Sequence, residues 1–166
     1  PNSTIVAATP DYFRTMGSPL IAGRTFTDRD RPPAPTSAII NTALAGRYFS
    51  GTDPLGKRIR FDEDSDDWMT IVGIVADSRN MGLDEDPAPQ LFLPMHVFSL
   101  PFMNVVARSP GGVAGVASSV RGEVRALDPE LPIDTVRPLN DIVHESVAEP
   151  RFRTLLLAGF AGTALL

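Results

Sequence analysis

The sequence has no cysteine and only two histidines, His96 and His144. The absence of cysteine excludes disulfide bonds, thiolate metal sites, iron–sulfur clusters and cysteine nucleophiles. With two histidines, a multi-histidine metal site is nearly excluded. A basic surplus is also absent, because 15 Lys and Arg stand against 20 Asp and Glu and give a net charge of −5. Nucleic-acid binding needs a basic footprint and is therefore not indicated.

Long apolar runs are absent except at residues 154–166, which carry no charge. A membrane-spanning helix needs about 20 residues, more than this run supplies. The run is nevertheless apolar on all sides, whereas a short soluble helix normally keeps a polar face. We therefore expect 154–166 to be the start of a truncated transmembrane helix, and the chain to be part of a longer membrane protein. A C-terminal helix docked on a soluble core is the alternative.

The remaining composition is that of a folded domain with short elements. Hydrophobic residues make up 43% and charged residues 21%, which is typical of folded proteins. The 16 prolines and 13 glycines predict many turns. Apolar and β-branched patterns predict strands at 4–8, 37–40, 58–61, 68–75, 102–108 and 133–136, and a short extended piece at 91–94. Helices are predicted after residue 9, after Asn41, over 113–127 and from Leu139, and 23–35 is predicted to be a loop or a lobe boundary. The fold class is therefore α+β (mixed α/β), with a hairpin over 58–75 and a strand–helix–strand unit over 102–136.

Residues 51–58, GTDPLGKR, nearly spell a phosphate-binding P-loop. That motif requires a strand before it, a helix after it, and Ser or Thr after the lysine. Here a predicted helix precedes, a predicted strand follows, and Arg58 stands after Lys57. We interpret the segment as a turn, and a phosphate-using enzyme built on it is the least favoured hypothesis.

The acidic stretch 62–67 does not have the spacing of a calcium-binding EF-hand loop. Counted from Asp62, the sixth and twelfth positions are Asp67 and Gly73, where the motif requires Gly and Glu. A solvated turn is the simpler interpretation.

The other motifs also lack the residues that chemistry would need. Residues 110–112, Pro-Gly-Gly, lack the G-x-G-x-x-G spacing, and His144-Glu145 is followed by Ala148 where a zincin motif requires a second histidine. No G-x-S-x-G sequence occurs, and Ser118 and Ser119 lie in a predicted helix without an obvious base. We predict no catalytic, cofactor-binding or metal-binding residues, and no enzyme activity in this segment.

A set of short motifs along the chain resembles a known family. The motifs are ATPDYFRTMG (8–17), the segment 20–26 ending in GRTF, IIN (39–41), RYF (47–49), DPLGK (53–57), IVGIVAD (71–77), DPELP (128–132) and PRF (150–152). Their order and spacing resemble the MacB-like extracytoplasmic (periplasmic core) domain of ABC-transporter permeases, followed by the start of an FtsX-like membrane domain. The resemblance covers nearly the whole chain.

The resemblance implies a division into lobes. Residues 1–24 and 91–138 would form a porter-like α/β lobe, interrupted by an inserted β-rich lobe at 25–90. A connecting helix at 139–153 would lead to the transmembrane helix that starts at 154–166. The N-terminal part of the family's domain would precede this chain.

The resemblance also implies a function without a cofactor. The permease would lie in the bacterial inner membrane, with this domain on the extracytoplasmic side. It would act as a dimer with a separate cytoplasmic ABC ATPase, and couple ATP hydrolysis to efflux or to mechanotransmission through periplasmic or outer-membrane partner proteins. A soluble α/β module that binds a ligand or a protein is the alternative.

Overall fold

The computed structural model describes residues 3–32, 36–60, 66–78, 87–98, 103–109, 113–133 and 135–142. The strands are Thr4–Ala8 (β1), Leu20–Gly23 (β2), Ser37–Asn41 (β3), Arg58–Ile59 (β4), Met69–Val75 (β5) and Gln90–Pro94 (β6), and the helices are Tyr12–Met16 (α1), Thr42–Tyr48 (α2) and Val113–Leu127 (α3). The predicted α+β class is confirmed. The chain divides into two compact units, Pro1–Val106 and Ala107–Leu166, which are described separately.

The described strands of the first unit form one mixed sheet in the order β1-β6-β3-β5-β2. β1 is parallel to β6, and β3 is parallel to β5, whereas β3 and β6 are antiparallel. β2 and β4 both pair antiparallel with β5. Since β4 pairs with the start of β5 and β2 with its end, the short strand β4 lies at an edge of the sheet.

Apolar side chains form two clusters, one on each face of the sheet. The first contains Ala38, Ile40, Leu44, Met69, Ile71, Ile74, Leu91 and Leu93, and the second contains Ala8, Phe13, Phe26, Ile39, Val75 and Phe92. Successive residues such as Ile39 and Ile40 alternate between the clusters, as expected for a strand buried on both faces. α2 packs on the first face through Leu44, and α1 packs on the second face through Phe13.

The predicted strands at 4–8 and 37–40 and the hairpin of β4 with β5 are confirmed, and the extended piece predicted at 91–94 lies in β6. β4 is shorter than predicted, because it ends at Ile59. α1 begins at Tyr12, since residues 9–12 form a turn in which the Tyr12 N–H donates to the Thr9 carbonyl at 3.1 Å. α1 ends at Met16 and is followed by Gly17, whose φ of 73° is the left-handed conformation that glycine adopts most readily.

The predicted helix over 113–127 is confirmed as α3. The strand predictions at 102–108 and 133–136 are wrong for their described residues, 103–108, 133, 135 and 136, which form no strand. An apolar pattern does not make a strand without the hydrogen bonds of a neighbouring strand, and Met103 and Val105 are 63% and 65% exposed. Residues 139–142 are helical, in agreement with the helix predicted from Leu139, and its remainder lies outside the described residues.

No helix among the described residues has both the length and the apolar character needed to cross a membrane. The apolar run 154–166 lies outside the described residues.

Candidate functional site

The segment that nearly spells a P-loop is a turn from helix to strand. It follows α2 and leads into β4, the reverse of the order that phosphate binding requires. Gly51 and Gly56 adopt φ angles of 77° and 76°, and the carboxylate of Asp53 accepts a hydrogen bond from the Leu55 N–H at 3.0 Å. The Nζ atom of Lys57 lies 5.5 Å from the centroid of the Phe49 ring. The interpretation of this segment as a turn is confirmed.

The structure does not bring the other candidate residues together. Ser118 and Ser119 donate hydrogen bonds to the carbonyl of Gly115, at 2.9 and 3.1 Å, within their own helix α3. His96 is exposed in a short 3₁₀ turn, Met95–Val97. Residues 62–65, 110–112 and 144–148 lie outside the described residues. In the part of the chain that the structure describes, no group of His, Asp and Glu could hold a metal ion.

In the part of the chain that the structure describes, the carboxylate of Asp30 accepts five hydrogen bonds and is 3% exposed. Arg24 donates to both carboxylate oxygens, with Nη1 and Nη2 at 2.9 and 2.8 Å. The Ser37 hydroxyl donates at 2.6 Å, and the N–H and hydroxyl of Thr27 donate at 2.7 and 3.0 Å. The Arg24 guanidinium, helped by the Ser37 and Thr27 donors, holds the pKa of Asp30 well below its usual value despite burial. We call Arg24, Thr27, Asp30 and Ser37 the Asp30 cluster.

Two glycines let the backbones of β2 and β5 approach closely beside the Asp30 cluster. Gly23 has a φ of 77° and lies opposite Gly73 in the pairing of the two strands. A Cβ atom on Gly73 would overlap the carbonyl oxygen of Arg24, and one on Gly23 would overlap the carbonyl oxygen of Val72. The Arg24 N–H donates to that Val72 oxygen at 2.9 Å. The glycines therefore place Arg24 where its side chain reaches Asp30.

A second polar cluster joins the end of β3 to β6. The buried Asn41 side chain accepts hydrogen bonds from the N–H groups of Leu44 and Gln90, and donates to the Ala88 carbonyl, all at 2.9 Å. The prediction that Asn41 caps α2 is therefore confirmed. The Ser78 hydroxyl donates to the buried Gln90 side chain at 2.9 Å. We call Asn41, Ser78 and Gln90 the Asn41 cluster.

The two clusters hold β3 by hydrogen bonds at both ends, because Ser37 begins this strand and Asn41 ends it. Among the described residues, no buried side-chain nitrogen or oxygen lacks a hydrogen-bond partner. Fully satisfied buried networks make a structure rigid. A carboxylate held by an arginine and three other donors is not arranged to accept a substrate proton. This arrangement can therefore act mechanically, by keeping β3 and its neighbours in fixed positions.

Replacing Asn41 with alanine is expected to lower the free energy of unfolding by about 2 kcal/mol. The change removes the cap of α2 and leaves the buried Gln90 N–H and the Ala88 carbonyl without their partner. Urea unfolding followed by circular dichroism measures the loss. The control Asn104→Ala alters an exposed asparagine and should change stability by less than about 0.5 kcal/mol. Equal stabilities of the two variants would contradict the role given to Asn41.

Sequence reasoning missed the Asp30 cluster, because the charged residues between 23 and 35 indicate a loop. One local signal was present in the sequence. Thr27 and Asp30 have the spacing of a capping box, and in the structure the Asp30 carboxylate accepts a hydrogen bond from the Thr27 N–H at 2.7 Å. The partners Arg24 and Ser37 lie on two different strands or strand ends, so only the fold brings them to Asp30.

The comparison with known families decides which family this fold and these motifs represent. The model of the MacB-like periplasmic core domain matches residues 1–127. The chain belongs to this family. The match confirms the family resemblance seen in the motifs up to residue 77, whereas the motifs at 128–132 and 150–152 lie beyond the matched range. The expected FtsX-like membrane part also lies beyond it.

Solved structures show the same fold for this MacB-like domain. The periplasmic region of MacB from Actinobacillus actinomycetemcomitans aligns with a TM-score of 0.53 and 19% identity, covering 74% of this chain and 56% of that chain. A domain assigned to a permease from Porphyromonas gingivalis aligns with a TM-score of 0.50 and 22% identity, covering 80% and 66%. The MacB-like chain thus spans about half to two thirds of the length of these structures. No curated protein sequence matches it significantly.

Proposed function

We propose that this chain is the extracytoplasmic part of an ABC-transporter permease in the bacterial inner membrane, and that this segment is not an enzyme. The family match over residues 1–127 is the observation that carries the proposal. The fold shared with the periplasmic region of MacB supports it. The P-loop-like segment contributes nothing, since it is a turn between α2 and β4.

In this proposal a separate cytoplasmic ABC ATPase supplies the energy, and two permease copies form the transporter. The extracytoplasmic domain moves when the ATPase closes on ATP, and so couples hydrolysis to efflux or to mechanotransmission through envelope partner proteins. A domain that transmits movement must keep its shape under load. The hydrogen bonds at both ends of β3 supply that stiffness.

The lobe boundaries remain part of the proposal. A porter-like lobe at 1–24 and 91–138, an inserted lobe at 25–90, a connecting helix at 139–153 and a transmembrane helix from 154–166 would carry the movement from the membrane to the domain. The described sheet contains β1, β2 and most of β6 from the first lobe and β3, β4 and β5 from the inserted lobe. The two lobes would therefore share one continuous sheet.

Membrane sidedness provides the first test of the proposal. Because this segment contains no cysteine, a Gly46→Cys substitution in the complete protein, with any cysteine outside this segment replaced by serine, supplies one reactive thiol. Gly46 is exposed and has open space around it. Labelling by a membrane-impermeant maleimide in intact spheroplasts is the expected result. Labelling only after lysis would place the domain in the cytoplasm and contradict the proposal.

Association with an ATPase provides the second test. The complete permease, expressed with a cytoplasmic ABC ATPase from the same organism, should co-purify with it in detergent as a complex with two permease copies. Recovery of a monomeric protein without detergent and without ATPase would favour a soluble ligand- or protein-binding module instead.

A further inference from the structure

The strand β2 lies at an edge of the sheet and gains little from apolar burial. Leu20 and Ile21 are 42% and 57% exposed, whereas Ala22 is partly buried against the first apolar cluster. The pairing of β2 with β5 also has an irregularity between Leu20 and Ala22. A short edge strand with few buried side chains is the kind of element that opens at a lower free energy than the whole domain.

The chain is anchored on both sides of β2. Phe13 in α1 and Phe26 after β2 are 2% and 3% exposed in the second apolar cluster, and their ring centroids are 6.2 Å apart. A surface loop whose ends are held close together forms at a small entropic cost. Gly17 and Gly23, with φ angles of 73° and 77°, are placed to act as hinges. Residues 18–24, which we call the β2 segment, can therefore leave β5 while the anchors stay in place.

Hydrogen bonds near both ends of the β2 segment fasten it to β5. The Ala76 N–H donates to the Pro19 carbonyl and the Arg24 N–H donates to the Val72 carbonyl, both at 2.9 Å. The Ser18 hydroxyl donates to the Ala76 carbonyl at 3.3 Å. Bonds of this neutral kind each contribute a modest net stabilisation. They do not by themselves make an exposed edge strand as stable as the buried strands.

The Arg24 side chain ties the end of the β2 segment to a fixed point. Its Nη1 and Nη2 atoms lie 2.9 and 2.8 Å from the two carboxylate oxygens of Asp30. Bidentate pairs between charged groups are among the strongest hydrogen bonds in proteins. Asp30 is itself fixed, because Ser37 and Thr27 also donate to it. Since the Arg24 N–H bonds to Val72, the pair holds that backbone bond in place.

We propose that the Arg24–Asp30 pair is a latch, and that release of this latch lets the β2 segment open from β5 as one unit. Phe13, Phe26 and the remaining strands stay folded during this opening. The domain thus has one yielding edge on a sheet that is otherwise held by satisfied buried networks. The proposal concerns the fold of this chain and does not depend on the transporter assignment.

Hydrogen exchange of individual backbone amides, followed by NMR under native conditions, tests the proposal on the 166-residue chain. The amides of Arg24 and Ala76 report on the β2 segment, because both donate hydrogen bonds across its pairing with β5. The protected amides of β3 and β6 report on global unfolding. We expect Arg24 and Ala76 to share one protection factor that is at least about tenfold lower than that of β3 and β6.

The variant Asn41→Ala distinguishes local opening from global unfolding. The hydrogen bonds of Asn41 to Leu44, Ala88 and Gln90 remain intact when only the β2 segment opens. Its removal should therefore speed exchange in β3 and β6 by about tenfold or more. Exchange at Arg24 and Ala76 should change by less than about twofold, because the closed and the open β2 segment lose the same bonds.

The variant Arg24→Gln removes the latch and should speed exchange at Ala76 by about tenfold. Arg24 is half-exposed, so a polar side chain is accommodated there. Arg24→Lys keeps the charge without the planar fork, should produce a smaller increase, and decides the matter if the glutamine variant does not fold. The control Arg14→Gln removes an exposed pair with Asp11 and should change exchange at Ala76 by less than about twofold.

Two results would overturn the proposal. If Asn41→Ala speeds exchange at Arg24 and Ala76 as much as in β3 and β6, β2 opens only when the whole domain unfolds. If the folded Arg24 variants exchange at Ala76 as slowly as the parent chain, Arg24 does not hold β2 on β5. Neither result would affect the transporter assignment, because the test uses this chain alone.

Discussion

Replacing Gly73 with alanine is expected to lower the free energy of unfolding by about 3 kcal/mol. The new Cβ atom would overlap the carbonyl oxygen of Arg24 and lie 3.2 Å from the carbonyl carbon. Both obstacles are backbone atoms, so they can yield only if β2 moves away from β5. That movement would weaken the 2.9 Å hydrogen bond from the Arg24 N–H to Val72 and displace Arg24 from Asp30.

Gly46→Ala provides the matched control for Gly73→Ala. Gly46 lies in α2, and a Cβ atom there meets nothing within 4 Å. Alanine should therefore stabilise the chain by about 0.5 to 1 kcal/mol, because glycine is a poor helix former. Urea unfolding of both variants against the parent chain measures the two effects. A Gly73→Ala variant as stable as the parent would show that β2 and β5 are not packed as the structure describes.

Replacing Asp30 with asparagine is expected to lower the free energy of unfolding at neutral pH by about 3 kcal/mol. The asparagine amide would place N–H donors against donors of Arg24, Ser37 or Thr27, which all point at the carboxylate. The loss is limited because Arg24 is half-exposed and can be hydrated. Asp28→Asn alters an exposed pair with Arg31 and should cost less than about 0.5 kcal/mol.

The Asp30 variant should also have a distinct pH dependence. Because the fold lowers the pKa of Asp30, this group stabilises the protein fully above its unfolded pKa of about 3.9. The contribution is lost as the pH falls below that value, where the unfolded chain takes up the proton first. The stability difference between the parent and Asp30→Asn should therefore narrow below about pH 4. A difference that stays constant from pH 7 to about pH 3 would contradict an ionised, paired Asp30.

The sequence pattern predicts the elements that are marked by a continuous apolar run, a helix-capping residue or turn glycines. β3, β5 and β6 are buried runs of β-branched and other apolar residues, and Asn41 caps α2 as its position before an amphipathic segment predicts. The turn at 51–57 follows from its glycines and from the order of the flanking elements. These features depend on neighbours in the chain, so one sequence suffices to find them.

Features that depend on distant partners escape such reasoning. β2 has only four residues, mostly exposed, and exists because Gly23 and Gly73 allow close pairing with β5. Asp30 looks like one charge of a polar loop until the fold brings Arg24 and Ser37 to it. The opposite error occurs at 103–108, where a strand-like pattern has no strand beside it among the described residues.

The proposed function requires that this domain move as a stiff body when a separate ATPase binds ATP. The most direct test is the distance between spin labels in the assembled permease, with the ATPase present. Labels at Gly46→Cys in the two copies report movement between copies, and labels at Arg14→Cys and Gly46→Cys in one copy report deformation. Both positions are exposed and lie outside the two polar clusters. The expected result is that ATP, with hydrolysis blocked, changes the distance between copies and leaves the distance within one copy unchanged. Two results would contradict the movement of a stiff body. One is an unchanged distance between the copies, and the other is a changed distance between the two labels within one copy.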